Sequence, residues 1–113
     1  MKESYLLHRT FTFGVIKFLR TLPDTSDLKI IKYQLVKAAT SIGANYEEVQ
    51  ARLSNTDFIN KVNISLKEAR EANYWLRMIQ ALEVETTELS DIIQESKELK
   101  NILGTIVKNS REN

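Results

Sequence analysis

Apolar side chains recur every three or four residues along most of the chain, which is the spacing of amphipathic helices. Four such stretches are predicted, over residues 4–21, 27–53, 55–81 and 88–108. Alternating strand patterns are nearly absent, and the 113 residues include only three glycines and one proline. The connections between the predicted helices are short, and helices connected in this way pack against the helices next to them in the chain. The pattern therefore predicts an all-α protein, an antiparallel up-down-up-down four-helix bundle that forms a single domain over residues 1–113.

The third predicted helix begins with a recognisable capping pattern. Ser54 is placed to cap it, and Asp57 occupies the third helical position, where a carboxylate is favourable. Leu53 and Phe58 match the positions of a hydrophobic staple. The second predicted helix ends at residue 53 and the third begins at residue 55, and so short a connection makes these two helices antiparallel neighbours.

Two apolar stripes run along the third helix, whereas a bundle core needs only one. The main stripe comprises Phe58, Val62, Ser65, Ala69, Ala72, Leu76 and Ile79. The second stripe lies about 120° around the helix and comprises Ile64, Trp75, Met78 and Leu82. It requires either the first helix or another subunit as cover, and we interpret it as an oligomer interface. Tyr74 and Trp75 could instead stack on nucleic-acid bases, although an interface or core anchor is the stronger interpretation for Trp75.

Asn45 is the most unusual polar residue of the pattern, because heptad counting from Ile42 places it facing the core. One interpretation is a single buried amide that sets the helix register. The other joins Asn45 to Glu48 and to Glu68 and Glu71 of the facing helix, in a polar network with Lys67 or Arg70 or at a subunit junction. Paired carboxylates can transfer protons, but no histidine, nucleophile or metal accompanies them, so no catalytic residue is predicted.

Metal and cofactor sites are not expected. The chain has no cysteine and one histidine, His8, which rules out a di-iron centre and makes a zinc site unusual. His8 is expected to be solvated or partly packed. The three glycines stand alone inside helical patterns, so there is no phosphate-binding loop. We therefore predict no metal, no cofactor, no small-molecule substrate and no enzymatic activity.

Charge is nearly balanced overall but unevenly distributed. The net charge is +1, with twelve basic and eight acidic residues up to residue 81 and four basic and seven acidic residues after it. A surface for a polyanion should therefore avoid the last helix. The candidate RNA-contact residues, which could equally serve only to solvate the outer faces, are Lys17, Arg20, Lys29, Lys32, Lys37, Lys61 and Arg77. Neither a signal peptide nor a membrane-spanning run is evident, so we expect a cytoplasmic protein without a membrane partner.

Three segments carry a resemblance to a known family: ATSIGANYEE at 39–48, DFINK at 57–61 and LKEAREANYWL at 66–76. They closely resemble the 23S rRNA intervening-sequence proteins, also called four-helix bundle proteins, and the likeness in architecture covers about residues 5–105. The resemblance implies that the family's signature polar positions are those of Asn45, Glu48, Lys67, Glu68 and Glu71.

The resemblance also implies a bacterial cytoplasmic protein whose bundles assemble into a homopentameric ring. Such genes occur within ribosomal RNA intervening sequences and as free-standing copies. A more distant likeness is to the basic accessory protein of diversity-generating retroelements, which binds nucleic acid and a reverse transcriptase. We therefore expect a non-catalytic oligomeric scaffold associated with RNA. The alternative is a protein–protein adaptor or structural oligomer with no nucleic-acid role.

Overall fold

The fold is a bundle of four helices. The computed structural model describes residues 2–49, 51, 54–82, 84 and 86–112, with side chains between Leu6 and Arg111. The helices are α1 (Lys2–Leu19), α2 (Ser26–Val49), α3 (Asn55–Ala81) and α4 (Thr87–Glu112), and no strand occurs among these residues. The bundle measures 46 × 21 × 19 Å. The prediction of an all-α fold with four helices is confirmed.

Helix ends differ from the prediction by a few residues. α1 ends at Leu19, because the amides of Thr21 and Leu22 bond to carbonyls three residues earlier and tighten the chain ahead of Pro23. α2 ends at Val49, and the predicted staple residue Leu53 lies outside the described residues. α4 continues to Glu112 rather than ending at residue 108.

Side-chain caps begin three of the helices. The Ser54 hydroxyl accepts a hydrogen bond from the amide of Asp57 over 3.1 Å, which confirms the predicted cap of α3. Thr86 does the same for α4, accepting from the amide of Leu89 over 3.1 Å. At α2 the Thr25 hydroxyl accepts from the amide of Leu28 over 3.4 Å, which satisfies a first-turn group.

The core lies between helices that meet as four neighbouring pairs: α1 with α2, α2 with α3, α3 with α4, and α4 with α1. Among the described residues, α1 does not approach α3. Two serines are buried, Ser65 of the main α3 stripe and Ser96 of α4, and each hydroxyl donates to a helix carbonyl. Ser65 donates to Ile42 across the α2–α3 contact over 3.1 Å, and Ser96 donates to Ile93 within α4 over 2.6 Å.

Asn45 does not occupy the core position expected from heptad counting. It is half-buried, and its Nδ2 donates to the Ser41 carbonyl over 2.9 Å and to the Ser41 hydroxyl over 3.3 Å, both in its own helix. The core positions here belong to Ile42, Tyr46 and Val49. Asn45 stands about 60° to the side of Ile42 at 100° per residue, which puts it on the flank that faces α3.

His8 was also placed wrongly by the sequence pattern, since it is enclosed rather than solvated. Its side chain is 4% exposed. It packs between α1 and α2, with its ring centroid 5.4 Å from that of Tyr46. The chain can approach this closely because residue 43 is glycine: a Cβ there would stand 3.1 Å from Nδ1 of His8.

Candidate interaction surface

One surface follows the groove between α2 and α3, and we call it the α2–α3 face. On α3 its residues alternate by four and three positions, which keeps them on one side of the helix. An ion pair of 2.6 Å between Glu48 of α2 and Lys61 of α3 joins the two helices across the groove. The α2–α3 face comprises Lys37, Ser41, Asn45, Glu48, Lys61, Ile64, Glu68, Glu71, Trp75, Met78 and Leu82.

The signature carboxylates of α3 lie side by side in the middle of this face. Burial raises the pKa of Glu68, and the adjacent charge of Glu71 raises it further, while Lys67 and Lys37 act in the opposite direction. Glu71 accepts a hydrogen bond of 3.4 Å from the indole of Trp75. Glu68 and Glu71 therefore lie close together on the surface, and both side chains are half-buried.

The five signature residues are therefore not one closed network. Asn45 donates a hydrogen bond within its own helix, Glu48 forms an ion pair with Lys61, and Glu68 lies beside Glu71, whose charge raises the pKa of Glu68. Lys67 is exposed. The structure places four of the five along the α2–α3 face and leaves Lys67 at its outer margin.

The second apolar stripe of α3 lies on the same face. Trp75 and Met78 are half-buried and pack against the core, whereas Ile64 is 40% exposed and Leu82 is 45% exposed. Tyr74 and Trp75 contact each other edge to face, with centroids 5.0 Å apart. Since α1 packs against α2 and α4 but does not approach α3, the first helix does not cover this stripe.

The candidate RNA-contact residues are spread over three helices and differ in what holds them. Lys32 donates to the Leu22 carbonyl over 2.7 Å and to Asp24 over 2.9 Å, so it ties down the turn between α1 and α2. Arg77 donates to Oδ1 of buried Asn73 over 2.9 Å. The other members are exposed or half-buried. Arg20 directly follows α1, and the rest lie on α1, α2 and α3, at Lys17, Lys29, Lys37 and Lys61.

A second groove, between α3 and α4, was missed by the sequence analysis, and we call it the α3–α4 groove. It consists of two adjoining depressions of about 460 and 430 Å³ that share Arg70, Gly104 and Lys108. Lys100 and Arg111 also line it, and the part of the chain that the structure describes contributes no acidic residue to its lining. The missed signal is a stripe along α4, in which Lys100, Gly104, Lys108 and Arg111 recur every three or four residues.

Within the described part of the chain, no three His, Asp or Glu side chains cluster closely enough to hold a metal ion. The same residues contain no helix that is both long and apolar enough to cross a membrane.

The protein is therefore an all-α helical bundle whose candidate interaction residues lie on the outer surfaces of its helices. Comparison with known proteins gives the family. The family model for the 23S rRNA-intervening sequence protein matches residues 3–105, and the chain belongs to that family.

A solved structure has the same fold. It is a protein of unknown function from the S23 ribosomal protein family of Bacteroides thetaiotaomicron VPI-5482, 32% identical in sequence, with a TM-score of 0.83. The match covers 93% of this chain and 98% of that one. No curated protein sequence matches the chain.

Proposed function

We propose that this protein is a non-catalytic, homo-oligomeric scaffold of the bacterial cytoplasm that associates with RNA. The observation that carries the proposal is the α2–α3 face, where partly exposed apolar side chains of α3 flank the polar residues that the family resemblance singles out and α1 does not cover them. Membership of the 23S rRNA-intervening sequence protein family supports RNA as the partner.

The proposed bundle runs up-down-up-down with antiparallel neighbours. Contacts along α1 and α2 support this, because Thr12 bonds to the Ala39 carbonyl while His8, one turn earlier, packs on Tyr46, further along α2. Contacts of α2 with α3 follow the same rule: Ile42 meets Ser65, and the later Glu48 meets the earlier Lys61.

Assembly through the α2–α3 face is the first part of the proposal, with a five-membered ring as the expected form. Burying Ile64, Trp75, Met78 and Leu82 against a second copy would remove their apolar surface from water. Asn45, Glu48, Glu68 and Glu71 would then set how subunits meet, since charged side chains at an interface select orientation more than they add affinity.

The oligomeric state tests this part directly. Gel filtration with light scattering at micromolar concentration should give an oligomer, and Ile64→Asp or Leu82→Asp should dissociate it. Both side chains are at least 40% exposed in the single chain, so the bundle itself should remain folded. Phe13→Asp is the matched control, because Phe13 is 55% exposed on α1, outside the α2–α3 face, with Arg9 over its ring. A monomeric wild type would refute assembly.

RNA association is the second part. The affinity of the wild type for structured RNA should fall steeply as salt rises, because phosphate contacts release counterions. The charge of a single chain is modest, but a ring repeats each basic patch in every subunit and so raises the overall avidity. Absence of binding at about 50 mM salt, where electrostatic contacts are strongest, would refute this part.

A protein–protein adaptor or structural oligomer is the alternative. Trp75 favours it, since a half-buried indole next to Met78 is a typical anchor for a partner helix. Recovery of one protein partner after nuclease treatment would support the adaptor. An enzyme would have to be reconsidered only if a turnover were abolished by Glu48→Gln or Glu68→Gln without loss of stability.

A further inference from the structure

The α3–α4 groove concentrates positive charge on a nearly neutral chain. Its rim carries Arg70 from α3 and Lys100, Lys108 and Arg111 from α4, and none of the described side chains that line it is a carboxylate. Buried Leu66 and Val107 form part of the floor, so the cations surround a shallow apolar depression. Two of these cations, Lys100 and Lys108, form no ion pair or hydrogen bond with other described side chains. They are therefore available to an external anion.

Gly104 in the middle of the groove has no packing reason to be glycine. A Cβ added there would meet no atom of a neighbouring element within 4 Å. Glycine destabilises a helix interior relative to alanine, and here that cost brings no closer helix contact. What Gly104 does provide is depth, because it lets a ligand reach the backbone of α4 between Lys100 and Lys108.

The length of the groove selects an extended ligand. Lys100 and Arg111 are eleven residues apart, which is about 16 Å along a helix at 1.5 Å per residue. A single phosphate or carboxylate cannot contact both ends of such a row. A chain of regularly spaced phosphates can, and lysine and arginine are the usual partners of phosphate groups.

We propose that the α3–α4 groove binds the phosphodiester backbone of RNA, with Arg70, Lys100, Lys108 and Arg111 as the contacts. This inference rests on the proposed association with RNA and assigns it to a different surface from the one that the sequence indicated. The outer residues of α1 and α2, such as Lys17 and Lys29, are then solvating groups.

The salt dependence of RNA affinity distinguishes the two surfaces. For a labelled single-stranded RNA, four phosphate contacts predict an affinity about 50-fold weaker at 200 mM than at 50 mM salt. The variant Lys100→Gln/Lys108→Gln leaves two contacts, and its loss over the same range should shrink to about 7-fold. The matched control Lys17→Gln/Lys29→Gln removes the same charge from α1 and α2 and should keep the wild-type dependence.

A steric variant separates shape from charge. Gly104→Gln places a neutral side chain in the groove, where it should weaken RNA binding at constant net charge. Gly104→Ala covers the same backbone with a single methyl group and should weaken binding less. Glutamine is a better helix former than glycine, so lost affinity in Gly104→Gln cannot be assigned to unfolding. Thermal midpoints measured alongside check this.

The outcomes are separable. If the wild type binds RNA and the two lysine pairs have equal effects, or only the control pair matters, the groove assignment is wrong while the proposed function stands. If poly-glutamate of matched charge binds the groove as tightly as RNA, the ligand class is wrong. If the wild type binds no RNA at about 50 mM salt, both the groove assignment and the proposed RNA association fail.

Discussion

The buried hydrogen bond between Asn73 of α3 and Ser96 of α4 permits a quantitative test of the fold. Asn73 Nδ2 donates to Ser96 Oγ over 2.8 Å, and both side chains are buried. The change Ser96→Ala removes the acceptor and leaves a buried amide proton unpaired, which costs about 1–3 kcal/mol. Because only one oxygen is lost, the cavity contribution is small. We expect the free energy of unfolding to fall by about 2 kcal/mol.

The partner substitution shows whether that cost belongs to the pair. In Asn73→Ala, the Ser96 hydroxyl keeps its own bond to the Ile93 carbonyl, and the exposed Arg77 can replace Asn73 Oδ1 with water. No buried amide remains to be stranded. Adding Ser96→Ala to this background should therefore cost under about 0.5 kcal/mol, so that the cycle gives a coupling energy above about 1 kcal/mol.

Urea unfolding followed by far-UV circular dichroism measures these values. All variants should be compared at one protein concentration, because the stability of an oligomer depends on it. Thr40→Ala is the control, since its hydroxyl bonds to the Val36 carbonyl of its own helix but is exposed, and its effect should stay within about 0.5 kcal/mol. Equal costs of Ser96→Ala in both backgrounds would refute the reasoning, because the contact between the two side chains would then carry no energy.

Two further predictions concern the glycines and the histidine. Gly104→Ala should raise the free energy of unfolding by about 1 kcal/mol. Gly43→Ala should not raise it, because the added Cβ would press on buried His8. Calorimetry of both variants tests this, and an equal gain in stability at Gly43 would contradict the close packing. Burial lowers the pKa of His8. The nearby charge of Glu47 opposes this with a smaller effect, and the charge of Arg9 lowers the pKa further. Unfolding therefore takes up a proton below pH 6.5, the ordinary pKa of histidine, and stability should fall as pH falls through that value, by at most about 1.4 kcal/mol per pH unit. The urea midpoints of wild type and His8→Gln should therefore differ by a constant amount above about pH 7.5 and by less towards about pH 5.5. These two pH values lie about one unit above and below the ordinary pKa of histidine.

Periodicity was sufficient for the helices because each buries a stripe that is continuous over many turns. It also identified Ser65 as a core residue, since the main stripe of α3 continues on both sides of it. It failed at Asn45, because heptad counting paired Ile42 with the residue three positions later. The buried stripe of α2 instead includes Tyr46, four positions after Ile42, and Ala39, three before it, so its centre lies on the side of Ile42 away from Asn45. His8 could have been recognised, as it precedes Phe11 by three residues and Val15 by seven on the stripe of α1.

The surfaces were harder to predict from sequence. The second stripe of α3 was visible as a pattern, but only the packing of α1 against α2 and α4 shows that the first helix leaves it uncovered. The α3–α4 groove was hidden by averaging charge over residues 82–113. Averaging cannot show that opposite charges occupy different turns of one helix, nor that Arg70, thirty residues before Lys100, completes the row.

The order of charges along α4 gives this helix an electrical direction. Residues 88–98 contain four carboxylates and one lysine, whereas residues 99–112 contain three cations and one carboxylate, Glu112. The carboxylates of the first half act on one another: besides burial, Glu98 and Asp91 raise the pKa of Glu95. Such a separation of charge is an electric dipole along α4. A polyanion close to α4 would therefore be attracted by its last turns and repelled by its first turns.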